Sequence, residues 1–350
     1  MLKTTITFVD LRGKTPVDLL RSYPDVARQL IASACRSYGV LGRLVSLPLL
    51  MLGDRLSRRW LERNRNPYLY EIESFAEILE TRGVVALNLS YEYGCTSGAW
   101  KTDDSVSLLR VLDWPVSHLG KQVMLVLQSG KAGEFYNLTW PGISGVFTAM
   151  APGRFCAALN QAPMRRHLRG FVGDWITNLM QMRKETGLPP AHLLRQVFEQ
   201  ARSYDEAKRM LCDTPLAVPA IFILTGLQPG EGCIIERLEH AHKLIELSAG
   251  QSVTATNHFQ SEFSQVGQGF RPREIDSTGR LRQSQSIGGY DLANDDFRFL
   301  QAPILNANTR MAFVADAATG RLMVQGFEGS IAATERTLIP PQAYEHRQVV

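Results

Sequence analysis

A cysteine stands between a glycine and two hydroxyl residues in the stretch YEYGCTSGAW, residues 91–100. If the bond between Gly94 and Cys95 is cut, Cys95 gains a free α-amine beside its own thiol. Such an amine has an ordinary pKa of about 8, so it can act as general base for the thiol. The alternative is a buried structural cysteine that follows an ordinary turn glycine.

Two further residues could serve such a nucleophile. The stretch LLRVLDW places Arg110 and Asp113 near the end of a predicted strand. A guanidinium near the sulfur favours the thiolate, and a carboxylate can hold the amine. By themselves the two side chains could equally form a surface salt bridge. None of the histidines carries a recognisable motif for a Cys–His pair.

The stretch that follows Cys95 predicts strands, then helices, then strands again. Residues 163–212 have helical periodicity, and TRMAFVADAATGRLMVQGF predicts a closing hairpin. The connections between the strands are too short for parallel crossovers, so the sequence predicts antiparallel pairing within one α+β domain. The predicted strands are SVSLLRVLDW, QVMLVLQS, EFYNLTW, GVFTAM, FCAALNQ, AIFILTGL, GCIIERLEH, HKLIELSA and SVTATNHF.

The segment 1–94 predicts mainly helices. TTITFVDL is expected to form a strand, residues 17–65 amphipathic basic helices, and YLYEIESFAEILETRG a further helix. The stretch VVALNLSYEY, residues 84–93, predicts a strand that leads into Gly94. The basic amphipathic helices could pack on a core or lie on a lipid surface.

Composition excludes several classes of protein. A hydrophobic content of 45% with 21% charged residues is typical of a globular protein. The net charge of +4 is mild, and no basic block interleaved with aromatic residues indicates a nucleic-acid partner. The cysteines lack the spacing of a disulfide framework or a zinc site. A start without an apolar leader predicts a soluble protein, cytoplasmic by default.

Taken in order, these motifs resemble the cysteine N-terminal-nucleophile hydrolases, in the branch of acid ceramidase, N-acylethanolamine-hydrolysing acid amidase and choloylglycine hydrolase. CTSGAW followed by LLRVLDWP is similar to the start of their mature chain, although Val111 stands where Asn or Thr is usual. The resemblance spans residues 65–285 and implies a four-layer αββα sandwich of two antiparallel sheets. The other similar stretches are LTWPGISGVFTAMAPGRFCAALNQ, GLQPGEGCIIER, TATNHF and DSTGRL.

The resemblance assigns roles to individual residues. It implies Cys95 as nucleophile and as the first residue after the cleaved bond, with Arg110 and Asp113 as its catalytic partners. TATNHF implies Asn257 as a side-chain donor to the oxyanion, an interaction often worth about 3 kcal/mol.

Two assignments are less sharply defined by the motifs. DSTGRL implies Arg280 as the last catalytic arginine, with Arg271 and Arg273 as alternatives because the loop lengths do not fix the alignment. A second oxyanion donor is expected among the backbone N–H groups near Met150 and Ala151.

The implied activity is that of a self-processing cysteine amidase, which hydrolyses a linear amide through an acyl-thioester on Cys95. The junction and the PGEG segment favour an N-acyl lipid as substrate, and the helical segment 30–56 could cover the acyl chain or contact a membrane. Fragments 1–94 and 95–350 are expected to stay associated, and neither a metal nor an organic cofactor is implied. The alternatives are a penicillin V or bile-salt type acylase, an acyltransferase, and a non-catalytic acyl-lipid-binding relative.

Overall fold

The computed structural model describes residues 3–38, 43–89, 93–247, 252–267, 269–271, 276–287 and 297–340. The strands are β1 Thr7–Asp10, β2 Gly94–Lys101, β3 Val106–Asp113, β4 Met124–Gly130, β5 Gly133–Thr139, β6 Thr148–Ala151, β7 Phe155–Gln161, β8 Met164–Arg165, β9 Ala220–Thr225, β10 Gly232–Arg237, β11 His242–Glu246, β12 Ser252–Ala255, β13 Phe270–Arg271, β14 Thr309–Asp316, β15 Arg321–Glu328, β16 Ile331–Ala332 and β17 Thr337–Ile339. The helices are α1 Pro16–Ser22, α2 Pro24–Tyr38, α3 Arg43–Arg63, α4 Leu69–Leu79, α5 Val84–Leu87, α6 Gly170–Met182, α7 Pro190–Gln200, α8 Tyr204–Asp213 and α9 Ser277–Gln285, with a 3₁₀ helix at Glu262–Gln265.

Two large sheets face each other across the core. The first has the strand order β1-β4-β5-β6-β7-β9-β10-β11, and the second has the order β12-β2-β3-β14-β15-β16, with β17 also on β15. The strands β2 and β3 of the second sheet contact β7 and β9 of the first. Alternate side chains of these strands therefore fill the space between the sheets, and most of the facing residues are apolar.

Helices cover the outer faces and complete the predicted layers. Helices α7 and α8 pack on the first sheet, and α9 packs on β2 and β12 of the second. The segment 297–305 packs with β3 and β14 in a second apolar cluster. The order helix, sheet, sheet, helix matches the predicted αββα sandwich. Among the described residues, no helix has the length and apolar character needed to cross a membrane.

Among the strands that the structure describes, pairing is antiparallel as predicted, apart from one pair. Strand β1 runs parallel to β4, with Thr7 opposite Met124 and Asp10 opposite Leu127. The N-terminal segment therefore supplies an edge strand to the first sheet. A connection of more than a hundred residues separates the two strands in the chain, which makes a parallel pair feasible.

The prediction of a strand over residues 84–93 is wrong. Val84–Leu87 form the short helix α5, residues 90–92 lie outside the described part of the chain, and the strand begins at Gly94. Gly83 precedes the helix with φ of 91°, a backbone angle that glycine tolerates and that turns the chain. Val85 packs against Leu61 of α3. A short apolar run can be buried equally well as a strand or as a helix, and here helix packing decides.

A buried ion-pair network ties helix α4 to α7. Arg195 donates to both carboxylate oxygens of Glu71, at 2.5 and 3.0 Å, and to Glu199 at 2.8 Å. The hydroxyl of Tyr68 donates to Glu199 at 2.8 Å, and its ring lies 4.1 Å below the Arg195 guanidinium. Because Glu71 precedes Cys95 and Arg195 follows it, this network joins the two parts of the chain on either side of the Gly94–Cys95 bond.

Replacing Arg195 by methionine should lower the free energy of unfolding by about 3 kcal/mol or more, because Glu71 would remain buried without its partner. The matched control is Arg21→Met, which removes an exposed ion pair with Asp18 and should cost less than about 0.5 kcal/mol. Urea unfolding of both variants measures the difference. Equal midpoints for the two variants would show that the buried network does not stabilise the fold.

Candidate active site

The predicted nucleophile lies on the paired strands β2 and β3. In their register Gly94 is opposite Asp113, and Ser97 is opposite Arg110. Because side chains alternate along a strand, Cys95, Ser97 and Arg110 share the face between the sheets, and Asp113 points to the other face. Arg110 and Asp113 are both fully buried. They are therefore not the surface salt bridge that the sequence left open.

Arg110 is held beside the thiol by a polar cluster between the sheets. Its Nη1 donates to Ser97 Oγ at 2.9 Å and to Asn160 Oδ1, which also accepts from Ser97 Oγ at 2.7 Å. The Nδ2 of Asn160 donates to the carbonyls of Ala255 and Thr256, at 3.1 and 3.0 Å. Within the part of the chain that the structure describes, Nε and Nη2 of Arg110 have no hydrogen-bond partner. Arg110 thus retains donors for a negative charge that forms beside it.

Asn257 contacts both sides of the Gly94–Cys95 bond. Its Oδ1 accepts from the main-chain N–H of Cys95 at 2.7 Å. Its Nδ2 donates to the carbonyls of Gln161 and Tyr93, at 2.8 and 3.5 Å. The register of β12 with β2 explains this position, because Ala255 pairs with Ser97 and the next alternate residue comes level with Cys95. Asn257 therefore orients the nitrogen that cleavage would release as an amine.

Arg280, from helix α9, reaches the next peptide bond, between Cys95 and Thr96, from the outer face of the sheet. It donates to the carbonyl oxygen of Cys95, to Thr96 Oγ1 at 3.1 Å and to Asn257 Oδ1 at 2.9 Å. Its Nη1 lies 3.8 Å from Asp113 Oδ2, and both side chains are completely buried. The guanidinium therefore links the main chain at Cys95 to Asp113 and Asn257.

The two alternatives to Arg280 are not placed by the structure. Arg273 lies outside the described residues, and the side chain of Arg271 is not described. The backbone of Arg271 pairs with Met164 in the small sheet of β8 and β13. This sheet is separate from the sheet that contains β2.

Burial disfavours charge at this site. It raises the pKa of the Asp113 carboxyl, although Arg280 opposes that change, and it lowers the pKa of the Arg280 guanidinium. Thr309 Oγ1 donates to Asp113 Oδ1 at 2.8 Å, while Oδ2 has no hydrogen-bond partner among the described residues. An acid and a base kept close together with incomplete solvation are typical of a functional site.

The thiol of Cys95 also favours its neutral form in the continuous chain. Burial is the largest effect and raises the pKa of Cys95. The charge of Arg110, the backbone N–H of Gln161 and the charge of Arg280 act in the opposite direction, in that order. The Sγ atom lies 3.9 Å from the carbonyl oxygen of Leu159. A base is therefore needed to form the thiolate.

The expected backbone donors at Met150 and Ala151 are not brought to the thiol. Met150 pairs with Cys156 on β7, and Leu159, which touches the thiol, lies three residues further along that strand. At about 3.3 Å per residue this is a separation of about 10 Å. The backbone N–H that faces the thiol is that of Gln161.

Sequence reasoning missed Asn160 and Gln161. The signal that could have found them is the end of FCAALNQ, where two amides close an otherwise apolar strand. A fully buried amide requires a polar partner, so Asn160 predicts a polar cluster between the sheets.

A mainly apolar cavity lies beside Trp114. It holds about 640 Å³ of empty space, including the part open to solvent. Trp114, which follows Asp113, forms one wall, and its ring lies 5.3 Å from that of Tyr93, next to Gly94 in the chain. The other lining residues include Leu30, Ile31 and Ala34 from α2 and Val116, Leu119, Trp140 and Ile143.

Known proteins show similarity to parts of this chain. The family model described as acyl-coenzyme A:6-aminopenicillanic acid acyl-transferase matches residues 169–287. Acid ceramidase of Heterocephalus glaber is 30% identical over 193 residues, which cover 49% of this chain and 47% of that protein. Acid ceramidase of Homo sapiens is 34% identical over 143 residues, which cover 39% of this chain and 34% of that protein. The chain thus spans about half or less of the length of these relatives.

A solved structure agrees with the fold. The Caenorhabditis elegans ortholog of N-acylethanolamine-hydrolyzing acid amidase aligns with a TM-score of 0.50 and 19% identity, over 64% of this chain and 93% of that one. The chain therefore has the α+β sandwich fold of the N-terminal-nucleophile hydrolases. The chain is also similar in sequence to the acid ceramidases, which confirms the predicted resemblance.

The polar cluster around Arg110 can be tested by replacing Asn160 with leucine, which has the same number of heavy atoms in the same branched shape. The free energy of unfolding should fall by about 3 kcal/mol, because buried Arg110 and Ser97 would lose their shared acceptor. Thr148→Val is the matched control, because Thr148 is fully buried and its hydroxyl has no partner among the described residues. That control should change stability by less than about 1 kcal/mol in urea unfolding. Equal losses in the two variants would contradict the role of Asn160.

Proposed function

We propose that the chain is a self-processing cysteine amidase, which hydrolyses a linear N-acyl lipid amide through an acyl-thioester on Cys95. The observation that carries this proposal is the set of buried polar side chains around Cys95. Asn257 accepts from the N–H of Cys95, Arg280 donates to the carbonyl of Cys95 on the following peptide bond, and Arg110 lies beside the thiol. Such a set is costly to bury and supports a reaction at Cys95.

In the first reaction the chain would cut itself. The Cys95 thiol attacks the carbonyl carbon of Gly94, and the C–N bond breaks as the nitrogen takes the thiol proton. The product is a thioester between Gly94 and Cys95 Sγ, with a free α-amine on Cys95. Water then hydrolyses the thioester and gives the Gly94 carboxylate and the free thiol. Gly94 has no side chain to hinder the approach of the sulfur.

In the second reaction the mature site would turn over its substrate. The free α-amine takes the thiol proton, the sulfur attacks the amide carbonyl, and the same proton passes to the leaving amine. Water resolves the resulting acyl-thioester and releases the fatty acid. Asp113 lies opposite Gly94 in the register and is a candidate to hold the amine, and Arg110 stabilises the thiolate.

The apolar cavity supports an acyl chain as the group transferred. Apart from Asn88 its wall residues are apolar, and one of them is Trp114, next to Asp113 in the chain. Helix α2 of the N-terminal segment closes one side, so residues 1–94 contribute to the proposed substrate site. The Arg195 network and the pairing of β1 with β4 support the association of fragments 1–94 and 95–350 after cleavage.

A second candidate is acyl transfer. The family model that matches residues 169–287 is described as an acyl-transferase, which favours this alternative. The two reactions share the thioester and differ only in whether water or an amine resolves it. Adding a series of small amines to the turnover assay distinguishes them, because a transferase forms the new amide faster than the free acid.

Purified wild-type protein should separate into two chains, one of which begins Cys-Thr-Ser, because Cys95 cleaves its own amino-terminal bond. Cys95→Ala should stay whole. Intact mass and N-terminal sequencing measure the conversion of the whole chain to two chains. Both are followed over time in assays from pH 4 to 8. Cys156→Ala is the matched control: this cysteine is equally buried, lies in β7, and should not affect cleavage.

A wild-type chain that stays whole at every pH would overturn the self-processing proposal. A non-catalytic acyl-lipid-binding protein would then be the better account. Cleavage of Cys95→Ala at the same bond would show that another protease makes the cut.

Filling the cavity should exclude long acyl chains. Ala34→Phe places a ring among the lining residues, whereas Ala32→Phe on the exposed side of the same helix is the control. In wild type and in the control, kcat/KM should rise about fourfold for each methylene added to the acyl chain, because burying one methylene contributes about 0.8 kcal/mol. Ala34→Phe should lose this rise and keep its activity on short-chain amides. Equal chain-length dependence in all three proteins would place the acyl chain elsewhere.

A further inference from the structure

A fully buried histidine lies between the two fragments that self-cleavage would produce. His192, on α7, has its Nδ1 atom 3.0 Å from Asn66 Nδ2 and its Nε2 atom 2.8 Å from Ser144 Oγ. The ring of Tyr68 packs edge-on against the imidazole, with the ring centroids 5.2 Å apart. Asn66 and Tyr68 precede the proposed cut, whereas Ser144 and His192 follow it. The imidazole is therefore part of the contact that holds the fragments together.

The neighbours of His192 fix where its hydrogen lies. The backbone N–H of Tyr68 donates to Asn66 Oδ1 at 3.0 Å, so the amide of Asn66 presents its NH₂ group to the imidazole. The Nδ1 atom of His192 must therefore accept a hydrogen bond. A neutral imidazole that accepts at Nδ1 carries its hydrogen on Nε2, from which it can donate to Ser144 Oγ.

A protonated His192 does not fit this arrangement. The added hydrogen would lie on Nδ1 and face the NH₂ group of Asn66. Turning the Asn66 amide would offer Nδ1 an acceptor, but it would then set the NH₂ group against the backbone N–H of Tyr68. Asn66 has one side-chain oxygen, and it would face donors on two different sides. Either orientation loses one buried hydrogen bond.

The charges around His192 also oppose its protonation. Arg195 follows one turn along α7, and its positive charge disfavours a second one on the imidazole. The carboxylates of Glu71 from α4 and of Glu199 from α7 accept hydrogen bonds from Arg195. Tyr68, at the start of α4, keeps its hydroxyl hydrogen and donates it to Glu199. Burial, followed by the charge of Arg195, lowers the pKa of His192 to about 3.

We infer that His192 is a pH-sensitive contact between the two fragments, whose neutral form holds fragment 1–94 on fragment 95–350 and whose protonation in acid releases it. This inference rests on the proposed self-processing, since only a cut chain can separate into two. In a continuous chain the same protonation would only lower the free energy of unfolding.

Release of fragment 1–94 would open the proposed acyl site. The backbone N–H of Ser144 donates to Asn88 Oδ1 at 3.0 Å, so the residue that contacts His192 is itself held by the N-terminal segment. Asn88 and helices α2 and α5 line one side of the apolar cavity, and residues that follow the proposed cut line the other. Loss of the first side would expose the cavity to water. Acid would thus end the turnover of acyl substrates through His192.

The pH range of the effect follows from the two states of His192. Release uncovers the imidazole on the side of Asn66 and Tyr68, and its pKa then returns toward the ordinary value of about 6.5. In the assembled protein the imidazole stays neutral to a much lower pH. The stabilisation is therefore complete above about pH 6.5 and is lost progressively as the pH falls toward about 3. One proton is taken up on release over this range, so the dissociation constant of the fragments should rise about tenfold per pH unit.

Dilution of the cleaved wild-type protein tests this contact. Gel filtration of a dilution series, repeated from about pH 7.5 down to about pH 4.5, measures how much of fragment 1–94 stays bound. His192→Asn offers an acceptor oxygen near the position of Nδ1 but cannot take up a proton. Below pH 6.5 the ratio of the wild-type dissociation constant to that of His192→Asn should rise about tenfold per pH unit. The matched control is His242→Asn, which replaces an exposed histidine of β11 and should follow wild type.

Asn66→Asp tests the geometry of the contact directly. Its carboxylate still accepts from the backbone N–H of Tyr68, and it replaces the NH₂ group that faces Nδ1 by an acceptor. A protonated His192 would then be held and not expelled, so acid below pH 6.5 should no longer raise the dissociation constant through this residue. The same rise with acid in wild type, His192→Asn and Asn66→Asp would overturn the inference.

A second measurement holds even if no protein cleaves. In the Cys95→Ala background the unfolding equilibrium constant should rise with acid about tenfold more per pH unit with His192 than with His192→Asn, below pH 6.5. Histidine ¹⁵N NMR of the same folded protein should show the hydrogen of His192 on Nε2 and no titration near pH 6.5. Failure of the wild type to cleave would overturn the proposed function alone. Parallel stability curves, or a His192 that titrates at its ordinary pKa in the folded chain, would overturn the role of His192.

Discussion

The register between β2 and β3 is the constraint on which the site depends. It places the thiol of Cys95 and the guanidinium of Arg110 between the sheets, while Asp113 reaches Arg280 on the other face. A slip of one residue would exchange the faces and separate every one of these groups. The cross-strand pairs on both sides of β2 and the apolar packing between the sheets fix this register. The chemistry of the site is thus determined by the pairing of one strand with its two neighbours.

Around that strand, the protein holds charges where water cannot reach them. Arg110, Asp113 and Arg280 are fully buried, and burial opposes the charge on both Asp113 and Arg280. Uncompensated, such groups would cost several kcal/mol each, so the bond that Arg110 donates to Asn160 and the bond that Thr309 donates to Asp113 are part of what keeps the fold stable. The same incomplete solvation leaves donors and acceptors available to a reacting bond. Stability and reactivity are therefore in opposition at this site.

Much of the arrangement could be predicted from the sequence, since it depends on local patterns. The alternation in SVSLLRVLDW correctly predicts a strand, and the order of motifs correctly predicts the fold class. Contacts made across loops could not be predicted in this way: the choice of Arg280 depends on how α9 returns to β2. The position of Met150 depends on the register of the β6–β7 pair, which the sequence of either strand leaves open. The VVAL stretch forms a helix because it packs in apolar clusters with α3 and α4, and the composition of the stretch by itself does not show this packing.

The parallel pairing of β1 with β4 bears on how the protein could be assembled. Residues far apart in the chain must meet to form this edge of the sheet, and a covalent link lowers the entropic cost of bringing them together. If the bond before Cys95 is cut afterwards, the two pieces keep contacts that they formed as one molecule. Unfolding such a product would be much harder to reverse than unfolding the continuous chain, because refolding would become a bimolecular encounter. The peptide bond would then act as a folding aid that the finished protein discards, and its loss would make the native state persist for kinetic reasons.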